Sequence, residues 1–303
     1  MNKLLPLIIA FVAVFFLSLS PILVRFSEVD SASTSFFRFF LAFPFIWMWF
    51  VFDHLKHKDE YAKGGIPLNI PDIVLFFLTG ILYALSVILM FKSYITTSVA
   101  NASFLSHLMP LIVPFIAFFI LGEKINRAIF MGIGLVLVGI MIFIGQDIVN
   151  GKGSFWGELD AFLATICLSF WIIIIKTLRA RYQPFMINTW YIFGAIYFAA
   201  VYTFSYEENL LPHTVEGWVI VAVNAICVQV VGQGLYTYAV KGLSATEASL
   251  ILLCVPVFST LCAWVVLGES VELVKILGAI LILAGVVFTD LWSKPAPPAP
   301  RQP

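Results

Sequence analysis

A few polar side chains inside apolar segments are the candidates for chemistry in this sequence. His107 lies about ten residues into one such segment, roughly 15 Å along a helix. An ionisable side chain at that depth of a membrane is rare and usually faces a cavity or a partner. We therefore expect His107 to contact a solute or to carry a proton. The alternative is a neutral histidine that bonds to a neighbouring helix.

A second group of candidates centres on two glutamines. Gln229 and Gln233 are four residues apart, which places both amides on one helix face with Tyr236 nearby. Two amides at the midplane suit a polar solute, although amides also join helices to each other. Four further side chains are predicted to complete the same cavity, each of a type that also occurs in ordinary packing: Tyr83, Asn101, Trp171 and Ser18.

Three glutamates are candidates for coupling or gating. Glu247 opens an apolar segment, where it could bind a cation or a proton, but stabilisation of a helix N-terminus is the simpler account. Glu123 and Glu269 each follow a Leu-Gly pair that ends an apolar run. Because Gly122 and Gly268 tolerate the left-handed conformation that ends a helix, these hinges are also typical of structural caps.

The composition indicates a membrane protein. Of the 303 residues, 61% are hydrophobic and 11% are charged, which is too apolar for one soluble core. The net charge of zero gives no footprint for nucleic acid. The four cysteines lie in apolar runs without a Cys-x-x-Cys pair, so we predict neither a zinc site nor a disulfide framework, and no cofactor.

Ten apolar segments approach the roughly 20 residues that a membrane-spanning helix requires. The first lacks a small-x-small cleavage site and is predicted to be a retained span. The segments are residues 4–24, 33–52, 72–91, 98–120, 127–146, 155–175, 184–205, 216–238, 247–267 and 273–292.

The distribution of Lys and Arg predicts that both termini are cytoplasmic. With the N-terminus inside, twelve of these residues fall on the inner side, and Arg38 is left within a span, where it is interpreted as mostly structural. The outer side holds only four: Arg25, Lys92, Lys152 and Lys275.

The chain repeats itself at an offset of 146 residues. Twelve identities without a gap join residues 91–143 to the later copy, among them Pro110 with Pro256 and Leu121-Gly122-Glu123 with Leu267-Gly268-Glu269. Five spans per half is an odd number, so the second half is predicted to enter the membrane from the opposite side. The predicted organisation is a first repeat (1–146), an external linker (147–154), a second repeat (155–292) and a disordered, proline-rich cytoplasmic tail (293–303).

Inverted repeats favour a carrier, because two similar halves around a midplane site can open it to one face and then to the other. Such a carrier would be driven by its solute gradient or by proton exchange. The alternative is a polytopic membrane enzyme acting on lipid-linked groups, but the sequence has no HExxH motif, paired aspartates or Ser-His-Asp grouping. Nothing in the sequence favours a third class, a membrane scaffold.

The sequence resembles the drug/metabolite transporter superfamily, in its ten-helix EamA-type branch. The resemblance rests on SFFRFFLAF (35–43), on SYITTSVANASFLSHLMPL (93–111) and on the two Leu-Gly-Glu hinges within 98–146 and 247–292. It implies an exporter of metabolites, amino acids or drugs in a bacterial inner membrane. The implied cavity is formed mainly by helices 1, 3, 4, 6, 8 and 9. One departure is that residues 16–22 (FLSLSPI) lack the tryptophan of many members. With the repeat inside one chain, we expect a monomer whose partners are a small solute and lipid.

Overall fold

The computed structural model describes residues 4–56, 70–96, 102, 105, 109–122, 127–149 and 154–267, with scattered residues between 274 and 288. All regular structure in that part of the chain is helical. The predicted all-α class is therefore confirmed there. A helix satisfies its own backbone hydrogen bonds, which a lipid environment requires of an apolar segment.

The described helices follow the predicted apolar segments closely. They are α1 (Leu4–Leu17), α2 (Ser20–Arg25), α3 (Ser31–Lys56), α4 (Ile70–Thr96), α5 (Met109–Leu121), α6 (Arg127–Val149), α7 (Phe155–Arg179), α8 (Pro184–Tyr206), α9 (Val215–Val223), a π-helical segment (Asn224–Gln233), α10 (Gly234–Val240), α11 (Ala245–Leu252) and α12 (Cys254–Leu267). Residues 147–149, predicted as linker, continue α6.

Five helical stretches among the described residues are long and apolar enough to cross a membrane. They are Leu4–Arg25, Ser31–Phe52, Ile70–Thr96, Phe155–Arg179 and Val215–Val240. Shorter apolar helices lie within the fourth, fifth and ninth predicted segments: Ile112–Leu121, Phe130–Gly139 and Glu247–Ser259.

Three of the apolar segments are interrupted within the residues that the structure describes. The first turns at Ser18, before Pro21, and the ninth turns at Leu253, before Pro256. Proline has no N–H for the carbonyl four residues earlier, and its ring clashes with that turn. The eighth segment widens instead into the π-helical segment, a form that recurs at functional sites.

Two glycines allow α4 of the first half and α8 of the second half to cross in close contact. A Cβ atom added to Gly80 would lie 2.0 Å from the Tyr191 carbonyl oxygen and 2.7 Å from the Ala195 nitrogen. One added to Gly194 would lie 2.4 Å from the Phe77 carbonyl oxygen. Only glycine at both positions allows the two backbones to approach so closely.

Three further glycines have different surroundings. Gly122 follows α5 with a φ of +65°, which confirms the left-handed helix end. A Cβ on Gly285 would lie 2.9 Å from the Gly132 carbonyl oxygen, so the backbones approach closely at these two glycines. Gly134 is exposed with nothing near its Cβ position.

At one end of α8, three carboxylates join the α2–α3 connection to the α8–α9 connection, and we call these contacts the loop clasp. Glu28 accepts from the N–H groups of His213 (3.0 Å) and Thr214 (3.1 Å) and from the Thr214 hydroxyl. Asp30 accepts from the N–H groups of Glu208 (3.3 Å) and Asn209 (3.1 Å). Glu207 accepts from the N–H groups of Ala32 (2.8 Å) and Ser33 (2.9 Å) and from the Ser33 hydroxyl (3.1 Å).

At the other end of α8, contacts to Asp72 form what we call the Asp72 clasp. The Tyr182 hydroxyl donates to Asp72 Oδ2 at 2.5 Å, and Arg181 lies 3.8 Å from Asp72 Oδ1. Asp72 is in the first turn of α4, and Tyr182 precedes α8. The 23 residues of α8 span about 34 Å, so the two clasps lie at opposite ends of the bundle.

Candidate functional site

A cavity lies where the three helix interruptions meet. About 110 Å³ of it is accessible to the centre of a water molecule. That is room for roughly seven to eleven waters at ~10–15 Å³ each, enough for a solute of amino-acid size. The two halves of the chain both contribute to its wall: Leu17, Ser20, Pro21, Arg38, Tyr83, Ser86, Val87, Met90, Phe91, Tyr94 and Met109 from the first, and Leu168, Trp171, Val228, Gln233, Tyr236, Ser249, Leu252, Leu253 and Val255 from the second.

Arg38 is the centre of the polar part of this wall. Its side chain is 3% exposed and donates from Nη2 to the Tyr83 hydroxyl (2.8 Å), from Nε to Gln229 Oε1 (3.1 Å) and from Nη1 to Ser20 Oγ (3.3 Å). Its guanidinium carbon also lies 5.9 Å from the centroids of the Phe39 and Tyr83 rings. Arg38 thus connects α2, α3, α4 and the π-helical segment.

The two glutamines lie beside Arg38, and both are buried. Gln233 Oε1 accepts from the Tyr83 hydroxyl at 2.9 Å, and Gln229 Oε1 is 3.5 Å from the same hydroxyl. The Gln229 amide nitrogen donates to the Tyr191 hydroxyl at 3.1 Å. Of the pair, Gln233 lines the cavity, while Gln229 is engaged by Arg38 and Tyr191 behind it.

Three aromatic side chains form a stacked part of the wall. The Trp171 ring lies between Tyr83, at a centroid distance of 5.2 Å, and Tyr236, at 6.1 Å with an interplanar angle of 20°. The Tyr236 hydroxyl donates to the Ala248 carbonyl at 2.8 Å, which joins α10 to α11. The structure therefore brings Tyr83, Trp171, Gln233 and Tyr236 to one cavity.

Two buried donors in the cavity wall have no hydrogen-bond partner in the described protein. They are Trp171 Nε1 and Gln233 Nε2, on side chains that are 1% and 3% exposed. A buried donor without a partner costs about 1–3 kcal/mol, so such groups call for an explanation. Both donors belong to residues that a solute in this cavity would touch.

Two other candidates have local roles. Ser18 is buried outside the cavity wall, and its hydroxyl donates to the Phe15 carbonyl at 2.6 Å. Glu247 forms a capping box at the start of α11, since its carboxylate accepts from the Ser244 N–H at 2.7 Å and its own N–H donates to Ser244 Oγ at 3.0 Å. This geometry matches the simpler account, stabilisation of a helix N-terminus.

The remaining candidates lie outside the described residues: His107, Asn101, Glu123 and Glu269. Within the part of the chain that the structure describes, no three side chains of His, Cys, Asp and Glu come together in a way that could hold a metal ion.

Sequence reasoning underestimated Arg38, and of the two serines at the end of the first segment the structure places Ser20, not Ser18, in the cavity wall. The interpretation of Arg38 as mostly structural rests on its place five residues inside the second predicted span and on its match to the pattern of the family that the sequence resembles. The signal that pointed to the cavity was its position within an apolar span, where a charged side chain generally faces a cavity or the interior of the bundle. Ser20 differs from Ser18 because it follows the turn and opens α2, a break that Pro21 marks in the sequence.

Comparison with known proteins adds evidence of a different kind. A protein of Clostridium kluyveri described as an uncharacterized transporter is 26% identical over 189 residues, which cover 61% of this chain and 60% of that relative, less than two thirds of its length. The pseudopaline exporter CntI of Pseudomonas aeruginosa is 22% identical over 237 residues, covering 77% of this chain and 80% of the exporter.

The same comparison extends to the fold and to the two halves. A solved structure described only as the crystal structure of a protein superposes with a TM-score of 0.75 at 18% identity, covering 94% of this chain and 96% of the other. The model of the EamA-like transporter family matches twice, over residues 4–145 and 155–290, and so covers both halves. The resemblance read from the sequence is confirmed, and the chain belongs to the EamA-like transporter family.

Proposed function

We propose that this protein is a carrier that moves a small solute across a bacterial inner membrane by alternating access around the cavity. The observation that carries the proposal is the position of the cavity. It lies between the two halves, at interruptions in helices from each, as expected of a carrier built from inverted repeats. We propose ten spans in two inverted sets of five, with both termini cytoplasmic, acting as a monomer.

The proposed direction is export, of small metabolites, amino acids or drugs. A relative named as an exporter supports this, although its solute belongs to that relative alone. The solute gradient or proton exchange would supply the energy, with His107 as the proposed proton carrier. We prefer transport to lipid-group transfer because the relatives are named transporters and the described cavity wall has no acid–base pair.

Alternating access can be tested without knowing the solute. In a background with the four native cysteines replaced by serine, Ser86→Cys places one thiol in the cavity wall. A membrane-impermeant methanethiosulfonate reagent is then applied to right-side-out and to inside-out vesicles. Ala199→Cys is the matched control, since Ala199 is buried in α8 and does not line the cavity.

We expect the Ser86→Cys thiol to react from both sides and the Ala199→Cys thiol from neither. Reaction of the Ser86→Cys thiol from a single side, or from none, would contradict alternating access around this cavity.

A further inference from the structure

The charge balance of the cavity wall identifies a class of solute. Arg38 is the only charged side chain among the described residues that line it, and no described carboxylate pairs with Arg38. Its partners are neutral: two hydroxyls and an amide oxygen. A buried cation is costly unless an anion pairs with it, so the described wall holds an excess of positive charge.

The unused donors lie on the same part of the wall. Arg38 has five N–H groups, and three bonds leave two of them without a described partner. Gln233 Nε2 and Trp171 Nε1 are also unpaired. The Tyr83 hydroxyl accepts from Arg38 and donates to Gln233, and the Tyr83 ring packs against Trp171 at a tilt of 34°. Tyr83 therefore contacts all three residues that carry unpaired donors.

We propose that this cluster, Arg38 with Trp171 and Gln233, binds the carboxylate of a small organic acid. A carboxylate has two oxygens and about four acceptor positions, and it matches the guanidinium fork in charge and geometry. It would supply the missing negative charge and acceptors for the indole and amide donors. The inference rests on the proposed function, because it assumes that the solute of the carrier occupies this cavity.

The rest of the wall indicates what the carboxylate is attached to. Beyond the cluster, the described lining is mostly apolar, with Leu168, Val87, Met90, Phe91 and Leu252 among its members. An apolar body therefore loses little when it leaves water for this wall, whereas an ammonium group would meet Arg38 and no described carboxylate. The proposed solute is an amphipathic acid recognised through its anion.

Three compounds with the same six-carbon body separate charge from shape: hexanoate, hexanamide and hexylamine. Each is titrated against the full-length protein in detergent, with the apparent unfolding temperature and the tryptophan fluorescence as readouts. We expect hexanoate to raise the unfolding temperature and to bind at least tenfold more tightly than the other two. Equal binding of hexanoate and hexanamide, or tighter binding of hexylamine, would overturn the proposal.

Conservative variants locate the binding group. Trp171→Phe keeps an aromatic ring and removes the unpaired N–H, so we expect hexanoate affinity to fall severalfold. Trp156→Phe is the matched control, since Trp156 is 71% exposed and outside the cavity wall. Unchanged affinity in Trp171→Phe, or an equal loss in the control, would contradict the assignment of this donor.

Gln233→Glu gives a sharper test because it places a carboxylate across the Tyr83 hydroxyl from Arg38 with almost no change in shape. We expect this variant to fold well, since the new negative charge offsets that of Arg38, and to lose its response to hexanoate. Arg38→Gln should lose the same response, but Gln233→Glu decides the matter if Arg38→Gln does not fold. A folded Gln233→Glu protein that still binds hexanoate as tightly would show that Arg38 is a structural cross-link only.

The failures of the two proposals are distinguishable. Hexanoate binding is measured in detergent without transport, whereas the thiol accessibility of Ser86→Cys is measured in vesicles without a ligand. Anion binding with access from one side only would retain the site and refute the carrier cycle. Access from both sides without anion selectivity would retain the carrier cycle and refute the anion site.

Discussion

The two ends of α8 are fastened to the first half of the chain by different chemistry. At the loop clasp, the carboxylates of Glu28, Asp30 and Glu207 accept mainly from backbone N–H groups across the two connections. At the Asp72 clasp, one hydroxyl donates to one carboxylate, and the accompanying Arg181 side chain is 61% exposed. An exposed ion pair of that kind contributes about 0–1 kcal/mol.

The difference indicates which end separates more easily. Backbone N–H donors cannot rotate away as side chains do. Six of them bond to three carboxylates at the loop clasp, whereas a single hydroxyl bonds to a carboxylate at the Asp72 clasp. Gly194 lies near the middle of α8, where it touches α4. If the halves move about that crossing, we expect them to part first at the Asp72 clasp while the loop clasp stays closed.

The largest effect should come from Gly80→Ala, which alters the crossing and therefore both ends together. The new Cβ would meet backbone atoms, which cannot move aside, so we expect a loss of about 3 kcal/mol or more and a fall of about 6–12 °C in the unfolding temperature. Fluorescence-detected gel filtration of heated samples measures this. Gly134→Ala, with open space at its Cβ position, is the control and should change little. Equal tolerance of the two changes would show that the crossing can adjust.

Breaking the stronger end is the next largest effect. Glu207→Gln removes the charge that faces the first N–H groups of α3, and we expect a loss of about 1–2 kcal/mol, or roughly 3–6 °C. Glu208→Gln makes the same change of charge one residue later, where the exposed carboxylate has no described partner. The same thermal assay applies. If both variants fall equally, general surface charge and not the loop clasp is responsible.

The sequence predicted the helices of the described region well, because a membrane-spanning helix follows from the length of an apolar run. Segments 155–175 and 184–205 appear as Phe155–Arg179 and Pro184–Tyr206. The interruptions were harder to predict, because a proline marks a break without showing whether a chain turns or only bends. The π-helical segment Asn224–Gln233 has no proline, and its i→i+5 backbone hydrogen bonds leave no signal in residue type or spacing.

Several residues of the cavity wall could be predicted from their type, but their hydrogen-bond partners could not. A buried aromatic residue or amide in an apolar run draws attention, so Tyr83, Trp171 and Gln233 could be named from the sequence. The partners of Arg38 could not, because they come from elements up to 191 residues away along the chain. The glycine contact of Gly80 was missed for the same reason, since only the approach of α8 gives it a function.

A smaller effect is expected at the weaker end. Tyr182→Phe removes the hydroxyl that donates to Asp72 and keeps the ring, which packs on Phe76. We expect a loss of about 1 kcal/mol, or roughly 2–4 °C in the same assay. Tyr197→Phe is the control, because that side chain is 59% exposed. A loss larger than that of Glu207→Gln would reverse the ranking of the two clasps.

The smallest effect is the dependence of stability on pH. It has opposite signs at the two clasps and can be measured on the unmutated protein. The Thr214 hydroxyl holds the pKa of Glu28 below its ordinary value of 4.5, so the stabilisation is complete above about pH 4.5 and is lost as the pH falls through the folded-state value. Burial, and then the bond to Asp72, raises the pKa of Tyr182 from 10.0 to about 12, so its stabilisation is complete below pH 10 and is lost as the pH rises toward 12.

Unfolding temperatures measured at acid and alkaline pH should therefore diagnose the two ends separately. Glu28→Gln should flatten the acid side of the plot of unfolding temperature against pH and leave the alkaline side unchanged. Tyr182→Phe should flatten the alkaline side and leave the acid side unchanged. Because Glu28 is exposed and solvent screens its bonds, we expect the acid effect to be small and to weaken further in high salt. Identical acid profiles for the reference protein and Glu28→Gln would contradict this prediction and show that the bonds of Glu28 add no measurable stability to the loop clasp.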